Sequence, residues 1–275
     1  MEHRGFPRPD PQRLTVVLPT FNEAARIRPA LDELFAFLRS GPDGAIPAGL
    51  PPGVDVLIVD DGSSDETVAR VLGRPEAAAA LDDGATVTLH VLRVAHGRKG
   101  AAVRAGLLAA EGDVVVFADA DMATPPDQLP HLLAALRGGA DVALGSRIQP
   151  DGSDLRASQP PLRRLLGKAF HLLASAWVVG AVQDTQCGFK GFTREAARDL
   201  AGRQRISSIV FDVELIHLAR RRGYRIATVP VRWTDVHGSR MQARAGLALQ
   251  VAWDLLRIPF LHRRVKRGVS ARAEG

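Results

Sequence analysis

The chain contains little sulfur and few aromatic rings. Its 275 residues include one cysteine, Cys187, so a disulfide within the chain is impossible, and the cysteine and histidine spacing of a zinc site is missing. A reducing, cytosolic location fits this composition. Aromatic residues make up 5% and hydrophobic residues 46% of the chain. We therefore expect aliphatic side chains to fill the core of one large α/β domain or two small ones.

A long apolar run is also missing. The longest stretch without a charged residue around an apolar centre covers residues 169–183, which is 15 residues, whereas a membrane-spanning helix needs about 20. The polar, proline-rich start lacks the pattern of a signal peptide. We expect no transmembrane segment, which leaves peripheral contact with a membrane open.

The net charge of +6 is a property of the C-terminal tail. From Arg240 onward there are eight Lys or Arg and two Asp or Glu, whereas 28 basic residues balance 28 acidic ones before it. Such a tail suits anionic lipid, nucleic acid or solvent. Because the body is neutral and poor in aromatics, we expect no nucleic-acid partner. The oligomeric state stays open.

Apolar runs and helical periods alternate over residues 14–145. Near-continuous apolar strands of this kind are typical of a mostly parallel sheet covered by helices on both faces. Ser63 and Glu66 have the spacing of a capping box, which predicts that a helix begins there. Strands are predicted over residues 14–18, 54–59, 86–94, 114–118 and 142–145, and helices over 23–39, from Ser63, over 99–110 and over 129–136.

The second half is less regular. Helices are predicted over residues 162–182, 209–222 and 245–258, and an alternating strand over 224–233. In the last helix Gln250, Asp254 and Arg257 form one polar stripe, and apolar residues cover the rest. This pattern favours two interpretations equally: a helix in a membrane interface, or a helix packed on the sheet with a solvated basic end.

Two acidic motifs follow predicted strands, VDDGSSDET at 59–67 and DADM at 119–122. In open parallel sheets ligands bind beyond the carboxyl ends of the strands. Asp119 and Asp121 offer the hard oxygen ligands that Mg²⁺ or Mn²⁺ prefers beside substrate phosphates. Asp60 and Asp61 would repel each other unless each met a donor or a cation, and a nucleobase imide or ribose hydroxyl is such a donor. The alternatives are turn formation by Asp60 and Asp61, and a capping role for Asp119 with Asp121 in solvent.

The motifs occur in an order that resembles a known family. LPTFNE, VDDGSSDET, the segment around Lys99, DADM, GSR and DTQCGFK together resemble the family 2 glycosyltransferases of the GT-A fold, over roughly residues 14–240. Among them, DADMATP, DTQCGFK and FDVE resemble the branch of dolichyl-phosphate β-glucosyltransferases and their polyprenyl-phosphate relatives. One departure is Arg98, which stands where the family usually has the first glycine of G-K-G.

The resemblance implies a fold and a division of the chain. The fold would be a GT-A, Rossmann-like, mostly parallel sheet flanked by helices, with C-terminal amphipathic helices. Residues 1–13 would be a flexible N-terminus, and residues 14–240 the glycosyltransferase domain. Its nucleotide-binding half would cover 14–147 and its acceptor half 148–240, with an amphipathic helix and basic tail over 241–275.

The resemblance also implies a donor site that holds a sugar nucleotide, most simply a UDP-sugar, and a divalent cation, Mg²⁺ or Mn²⁺. Asp119 and Asp121 would hold the ribose and the metal-bound diphosphate, and either Asp60 or Asp61 would recognise the base. The residues implied along the nucleotide are Pro19, Thr20, Glu23, Asp60, Asp61, Lys99, Asp119 and Ala120.

For the acceptor, the resemblance implies a polyprenyl or dolichyl phosphate that receives a hexose, in first place glucose from UDP-glucose, with inversion. Asp212 would act with Asp121 in catalysis, as a base or as the residue that orients the acceptor. The implied location is the inner face of the membrane, with peripheral contact through the C-terminal helix. The residues implied for acceptor and phosphate are Arg147, Asp184, Gln186, Lys190 and Arg240, with His237 as a lesser candidate.

Two other functions were weighed. The same chemistry on a soluble or polysaccharide acceptor fits the same motifs. A sugar nucleotidyltransferase fits less well, because it needs a glycine-rich basic loop after the first strand, where this chain has the acidic PTFNE.

Overall fold

A computed structural model describes residues 8, 10–79, 85–155, 174, 177–178, 180, 182, 184–235 and 245–266. Most of the helix predicted over 162–182 lies outside these residues, as do His237 and Arg240. The division between residues 147 and 148 stays a prediction.

Strands and helices alternate through the first half as the sequence predicts. The strands are β1 Arg13–Thr20, β2 Gly53–Asp60, β3 Val87–Arg93, β4 Val114–Ala118, β5 Val142–Ser146, β6 Phe189–Thr193 and β7 Ile226–Pro230. The helices are α1 Ala24–Leu38, α2 Thr67–Leu72, α3 Pro75–Ala79, α4 Lys99–Ala109, α5 Leu129–Arg137, α6 Arg194–Arg203, α7 Phe211–Arg222 and α8 Ala245–Leu261, with short 3₁₀ turns at Pro42–Gly44 and Pro126–Gln128.

The strands form one seven-stranded sheet in the order β3-β2-β1-β4-β6-β5-β7. All neighbouring pairs are parallel except those of β6, which runs antiparallel to β4 and β5. The prediction of a mostly parallel α/β sheet is confirmed. Strand β6 was not predicted, since its sequence FKGFT contains a lysine and a glycine; both are buried because β6 lies between two neighbours.

The sheet separates two hydrophobic clusters. One lies between the sheet and helices α1 and α5, and the other between the sheet and helices α4, α6, α7 and α8. Gly106 lets α4 approach the sheet closely, because a Cβ there would overlap a methyl group of Val17 and reach within 2.9 Å of Val59. This approach fixes the start of α4, which lies at the edge where β2 and β4 end.

Helix α2 begins later than its capping box predicts. Its first residue is Thr67, and Ser63 does not cap it; the Ser63 hydroxyl instead accepts a hydrogen bond from Asn22 N at 2.8 Å. The Asp65 carboxylate accepts from Thr67 N at 3.0 Å. The capping prediction was wrong because residues 63–65 bond to the loop after β1.

The C-terminal helix packs against α7, and its packed side includes part of the polar stripe, whereas its contact with a membrane stays a prediction. Asp254 of the polar stripe is buried: it accepts from Ser208 Oγ at 2.5 Å and pairs with Arg257 at 2.7 Å. Leu255 and Ile258 are buried beside it. The large side chains left exposed are Leu249, Trp253, Leu256, Phe260 and Leu261, and the neighbouring Trp177. Within the described part of the chain, no helix has the length and apolarity needed to cross a membrane.

Replacement of Gly106 by alanine tests the close packing of α4. Alanine would gain about 1 kcal/mol from helix propensity, but overpacking against Val17 costs about 1–3 kcal/mol, so we expect a net loss of stability. Gly202 in α6 has open space at its Cβ, so Gly202→Ala should be neutral or stabilising. Urea unfolding of both variants measures the difference; an equal gain in both would contradict the packing argument.

Candidate active site

The carboxyl ends of the parallel strands bring the predicted acidic residues to one edge of the sheet. Strand β1 lies between β2 and β4, and Thr20 at its end is in register with Asp60. Asp119 follows β4 directly and is joined to the loop before β6, since its N–H donates to Gly188 O at 2.9 Å. Both acidic motifs therefore lie at one edge of the sheet, as predicted.

Asp60 and Asp61 are buried, and each carboxylate already has donors. Ser63 N approaches both oxygens of Asp60 at 3.2–3.3 Å. Asp61 accepts from Gly97 N at 2.7 Å and lies 2.9 Å from His96 Nδ1. A carboxylate has about four lone-pair sites, so both residues keep acceptor capacity for a ligand, and the expected repulsion is relieved by local donors.

The loop after β1 is tied to the loop after β2. Asn22 adopts a left-handed conformation with φ 55°, and its side-chain oxygen accepts from Ser64 N at 2.8 Å. Phe21 stacks on the His96 ring with centroids 4.4 Å apart. Neither Phe21 nor His96 was predicted as a site residue. In the sequence, the Phe-Asn pair of PTFNE and the histidine of HGRKG could have indicated these two residues.

The other residues predicted for the nucleotide lie around these loops. Thr20 is buried, and its hydroxyl donates to Val59 O at 3.4 Å. Pro19 is half-buried at the end of β1. Glu23 precedes α1, and its carboxylate pairs with Arg26 at 2.7 Å.

Lys99, the first residue of α4, forms an ion pair with Asp119, the residue after β4. Lys99 Nζ lies 2.6 Å from Asp119 Oδ1 and 5.5 Å from the centroid of the Phe117 ring. Burial opposes the charge on Lys99, but Asp119 and Asp212 outweigh it and raise the pKa of Lys99. Gly188 leaves the room for Asp119, since a Cβ there would overlap its carboxyl group.

Asp121 faces the same pair. Burial raises the pKa of Asp121, and the charge of Asp119 raises it further, while a hydrogen bond from Ala123 N at 3.1 Å lowers it less. Ala120 between the two aspartates is buried. The DADM turn thus holds Asp119, which is paired with Lys99, and Asp121, whose negative charge is disfavoured by burial and by its neighbour Asp119.

The disfavoured negative charge of Asp121 fits a divalent cation. The described residues contain no group of three or more His, Cys, Asp or Glu side chains that could hold a metal alone. Mg²⁺ typically binds through one or two carboxylates, with substrate phosphates and water as the other ligands. Asp119 and Asp121 match that donor set.

Lys190 does not lie where a ligand phosphate could meet it, so this prediction is corrected. The side chain is fully buried, because β6 is an inner strand. Its Nζ donates to Asp212 Oδ1 at 2.6 Å and to Cys187 O at 2.5 Å. Burial raises the pKa of Asp212, although Lys190 and Lys99 oppose this rise.

Arg147 and Asp184 are bonded to each other. The guanidinium donates to both Asp184 oxygens at 2.7 and 2.8 Å and lies 5.5 Å from the Trp233 ring centroid. Gln186 is half-buried in the same loop. Burial raises the pKa of Cys187 to about 12, so this buried thiol is a packing residue.

Glu214 is the last residue of the FDVE motif, and no role was predicted for it. It is fully buried and accepts from Arg205 N at 2.9 Å and Ile206 N at 2.8 Å. His262 Nε2 lies 2.6 Å from its Oε1. Glu214 thereby joins α7, which carries Asp212, to the end of α8.

Arg98 has a backbone conformation that glycine normally provides. Its φ of 72° and ψ of 168° fall in a region that is essentially reserved for glycine. Arg98 therefore differs from the first glycine of G-K-G in its side chain, while its backbone keeps a conformation typical of glycine. This shape places Lys99 at the first position of α4.

Comparison with known proteins identifies the family. The profile described as "Glycosyl transferase family 2" matches residues 15–201. The chain belongs to glycosyl transferase family 2. It is 33% identical over 268 residues to a dolichyl-phosphate beta-glucosyltransferase of Trichomonas vaginalis, covering 90% of this chain and 71% of that protein. With the enzyme of that name from Drosophila melanogaster the identity is 37% over 236 residues, covering 83% and 69%.

Solved structures show the same fold. The glucosyl-3-phosphoglycerate synthase of Mycobacterium tuberculosis in complex with UDP has a TM-score of 0.58 at 22% identity, covering 90% of this chain and 80% of that chain. A complex of that synthase with Mn²⁺, UDP and glucosyl-3-phosphoglycerate has a TM-score of 0.55 at 23% identity, with the same coverage. The GT-A fold is confirmed, and the chain is a glycosyltransferase.

Replacement of Arg98 measures the strain at the start of α4. A residue held in this region costs about 1–3 kcal/mol, and glycine loses about 0.4–1 kcal/mol through its freer unfolded chain. We expect Arg98→Gly to raise the free energy of unfolding by about 1 kcal/mol. Arg98→Ala keeps the strain and should show no gain in urea unfolding. A gain shared by both variants would place the cost in the arginine side chain instead.

Proposed function

We propose that this glycosyltransferase transfers glucose from UDP-glucose to a polyprenyl phosphate of the dolichyl type, with inversion at the anomeric carbon. The observation that carries the proposal is the meeting of Asp60, Asp61, Lys99, Asp119 and Asp121 at one edge of the sheet. The agreement of relatives with 31–37% identity on dolichyl-phosphate glucosyl transfer supports the substrate pair.

The donor would lie across the ends of β1, β2 and β4. Asp60 and Asp61 would accept hydrogen bonds from uracil and ribose, beside Pro19, Thr20 and Glu23. The partly exposed side chain of Lys99 would face the diphosphate. A divalent cation at Asp119 and Asp121 would offset the negative charge that grows on the departing diphosphate.

The transfer step is a single displacement. An oxygen of the acceptor phosphate attacks the anomeric carbon of glucose, and the bond from that carbon to the diphosphate oxygen breaks. The electron pair leaves with UDP, and the product is polyprenyl phosphoglucose. A phosphate dianion has no proton to lose, whereas a monoanion, present below a pKa of about 6, would give its proton to Asp212.

The acceptor would approach from the side of β5, β6 and α7. Asp212 would orient the acceptor phosphate, and the Arg147–Asp184 pair and Gln186 would border its path. Arg240 stays a proposed phosphate contact outside the described residues. Trp233 over Arg147 would cover this pair from the loop after β7.

The exposed face of α8 would place the enzyme at the inner surface of a membrane. Leu249, Trp253, Leu256 and Phe260 repeat at intervals of three and four residues along one side of the helix. Exposed basic side chains follow at Arg263, Arg264 and Lys266. A wide apolar face with tryptophan and a basic end is the pattern of a helix lying in an anionic lipid interface.

A donor and acceptor panel tests the reaction. The protein is incubated with Mg²⁺ and polyprenyl phosphate, with each of several sugar nucleotides, and the lipid product is identified by mass. We expect polyprenyl phosphoglucose from UDP-glucose. A product formed only on a soluble or polysaccharide acceptor would overturn the lipid assignment, and no turnover with any donor would overturn the reaction.

Asp121→Asn tests the cation site. Removing one carboxylate from a two-carboxylate site should lower kcat by about 100-fold or more and weaken Mn²⁺-dependent UDP binding in calorimetry. Asp151→Asn is the matched control, because Asp151 is exposed and also accepts a hydrogen bond from the N–H two residues later. Full activity in Asp121→Asn would remove Asp121 from the site.

Flotation with anionic lipid vesicles tests the α8 face. Burial of each large apolar side chain contributes about 1.5–3 kcal/mol, so Trp253→Ser with Phe260→Ser should weaken vesicle binding by more than tenfold. Leu72 is also exposed, at the end of α2, and Leu72→Ser should float like the wild type. Unchanged flotation of the double variant would show that α8 is not the docking face.

A further inference from the structure

Lys190 is a fully buried cation in the middle of β6. It lies directly opposite Phe117 of β4, and its Nζ is 5.8 Å from the centroid of that ring. Phe189 and Phe192 of the same strand are also buried. An ammonium group in such surroundings has lost its water and needs partners within the protein.

Its partners lie at the border of the active site. The Nζ atom donates to Asp212 Oδ1 at 2.6 Å and to the Cys187 carbonyl at 2.5 Å. Asp212 is in the first turn of α7, where the helix dipole also favours a negative charge. Among the described residues no hydrogen bond reaches Asp212 Oδ2. One carboxylate oxygen is therefore fixed and the other keeps its acceptor capacity.

Stability does not account for a lysine at this position. A buried ion pair adds little net stability compared with apolar side chains of similar volume, because the loss of hydration offsets the attraction. The neighbouring positions of β6 show that the strand accepts large apolar residues. The lysine is better explained by what it does for Asp212.

The charged residues of the active site indicate what Lys190 does for Asp212. Lys99 is paired with Asp119 at 2.6 Å, and Lys190 is paired with Asp212 at 2.6 Å. Without Lys190, the charge of Asp212 would lack its nearest compensation. An anionic acceptor phosphate would then meet a net negative site and be repelled.

We propose that Lys190 is a positioning residue for the acceptor half of the reaction: it fixes Asp212 through one oxygen and balances its charge, so that the other oxygen accepts a hydrogen bond from a protonated oxygen of the acceptor phosphate. The inference rests on the proposed function, in which Asp212 orients that phosphate. It assigns Lys190 an indirect role, since its ammonium touches no substrate.

A double-mutant cycle tests this role, with Lys190→Met, Asp212→Asn and the double variant. Rates are measured with UDP-glucose, Mg²⁺ and polyprenyl phosphate, and UDP binding by calorimetry with Mn²⁺. We expect Lys190→Met to lower kcat/KM for the acceptor by about 100-fold, as for the loss of one partner of a buried charge pair, with unchanged UDP affinity. In the Asp212→Asn background the same change should cause no further loss, because the charge it serves is gone.

Two further variants separate positioning from folding. Arg222 lies at the far end of α7, the helix that carries Asp212. Arg222→Met removes its ion pair with Asp199 and should keep the wild-type acceptor kcat/KM. Should Lys190→Met not fold, Lys190→Gln retains a hydrogen-bond donor and should show a smaller loss that again vanishes beside Asp212→Asn.

Three outcomes would overturn the inference: full acceptor kcat/KM in Lys190→Met, an additional loss in the double variant, or loss of UDP binding in Lys190→Met. Failure of the proposed function gives a different result. In that case the wild-type enzyme itself forms no polyprenyl phosphoglucose.

Discussion

Repulsion among carboxylates is the constraint on which the rest of the site depends. Parallel strands end at one edge, so the acidic residues that follow β2 and β4 are brought together whether or not their charges are compensated. Three sets of contacts offset this repulsion. Backbone N–H groups donate to Asp60 and Asp61, Lys99 pairs with Asp119, and Lys190 pairs with Asp212. Asp121 is left with a raised pKa, which is the local condition that suits a cation and a diphosphate.

The scaffold around this edge serves the same arrangement. Gly106 lets α4 approach the sheet, so that Lys99 at its start reaches the end of β4. The antiparallel strand β6 places Lys190 opposite Phe117 of β4, and Gly188 just before β6 accepts a hydrogen bond from Asp119 N. Glu214 in the first turn of α7 bonds to His262 after α8, and Asp254 of α8 bonds to Ser208 before α7. The helix with the exposed apolar face is thereby joined to the helix that carries Asp212.

The sequence predicted the strands and the sheet edge that carries the acidic motifs better than it predicted the bonding partners of individual side chains. The parallel strands of the first half and the edge position of the acidic motifs could be predicted, because apolar runs and strand ends are local patterns. Strand β6 was missed, since its buried lysine resembles a solvent-facing residue. The capping role of Ser63 was wrong, and the buried bond of Asp254 was not predicted, because the partners, Asn22 and Ser208, are distant in the chain.

The sequence by itself determined the family, the α/β alternation and the set of acidic residues, because each is written in short motifs and in their order. Only the tertiary structure decided which cation serves which carboxylate. Lys190 and Arg147 resembled phosphate ligands, yet folding paired them with Asp212 and Asp184. Such pairing depends on distances of a few ångströms between side chains from different strands and helices, and on the loss of water around them. Neither quantity is present in a linear pattern of residues.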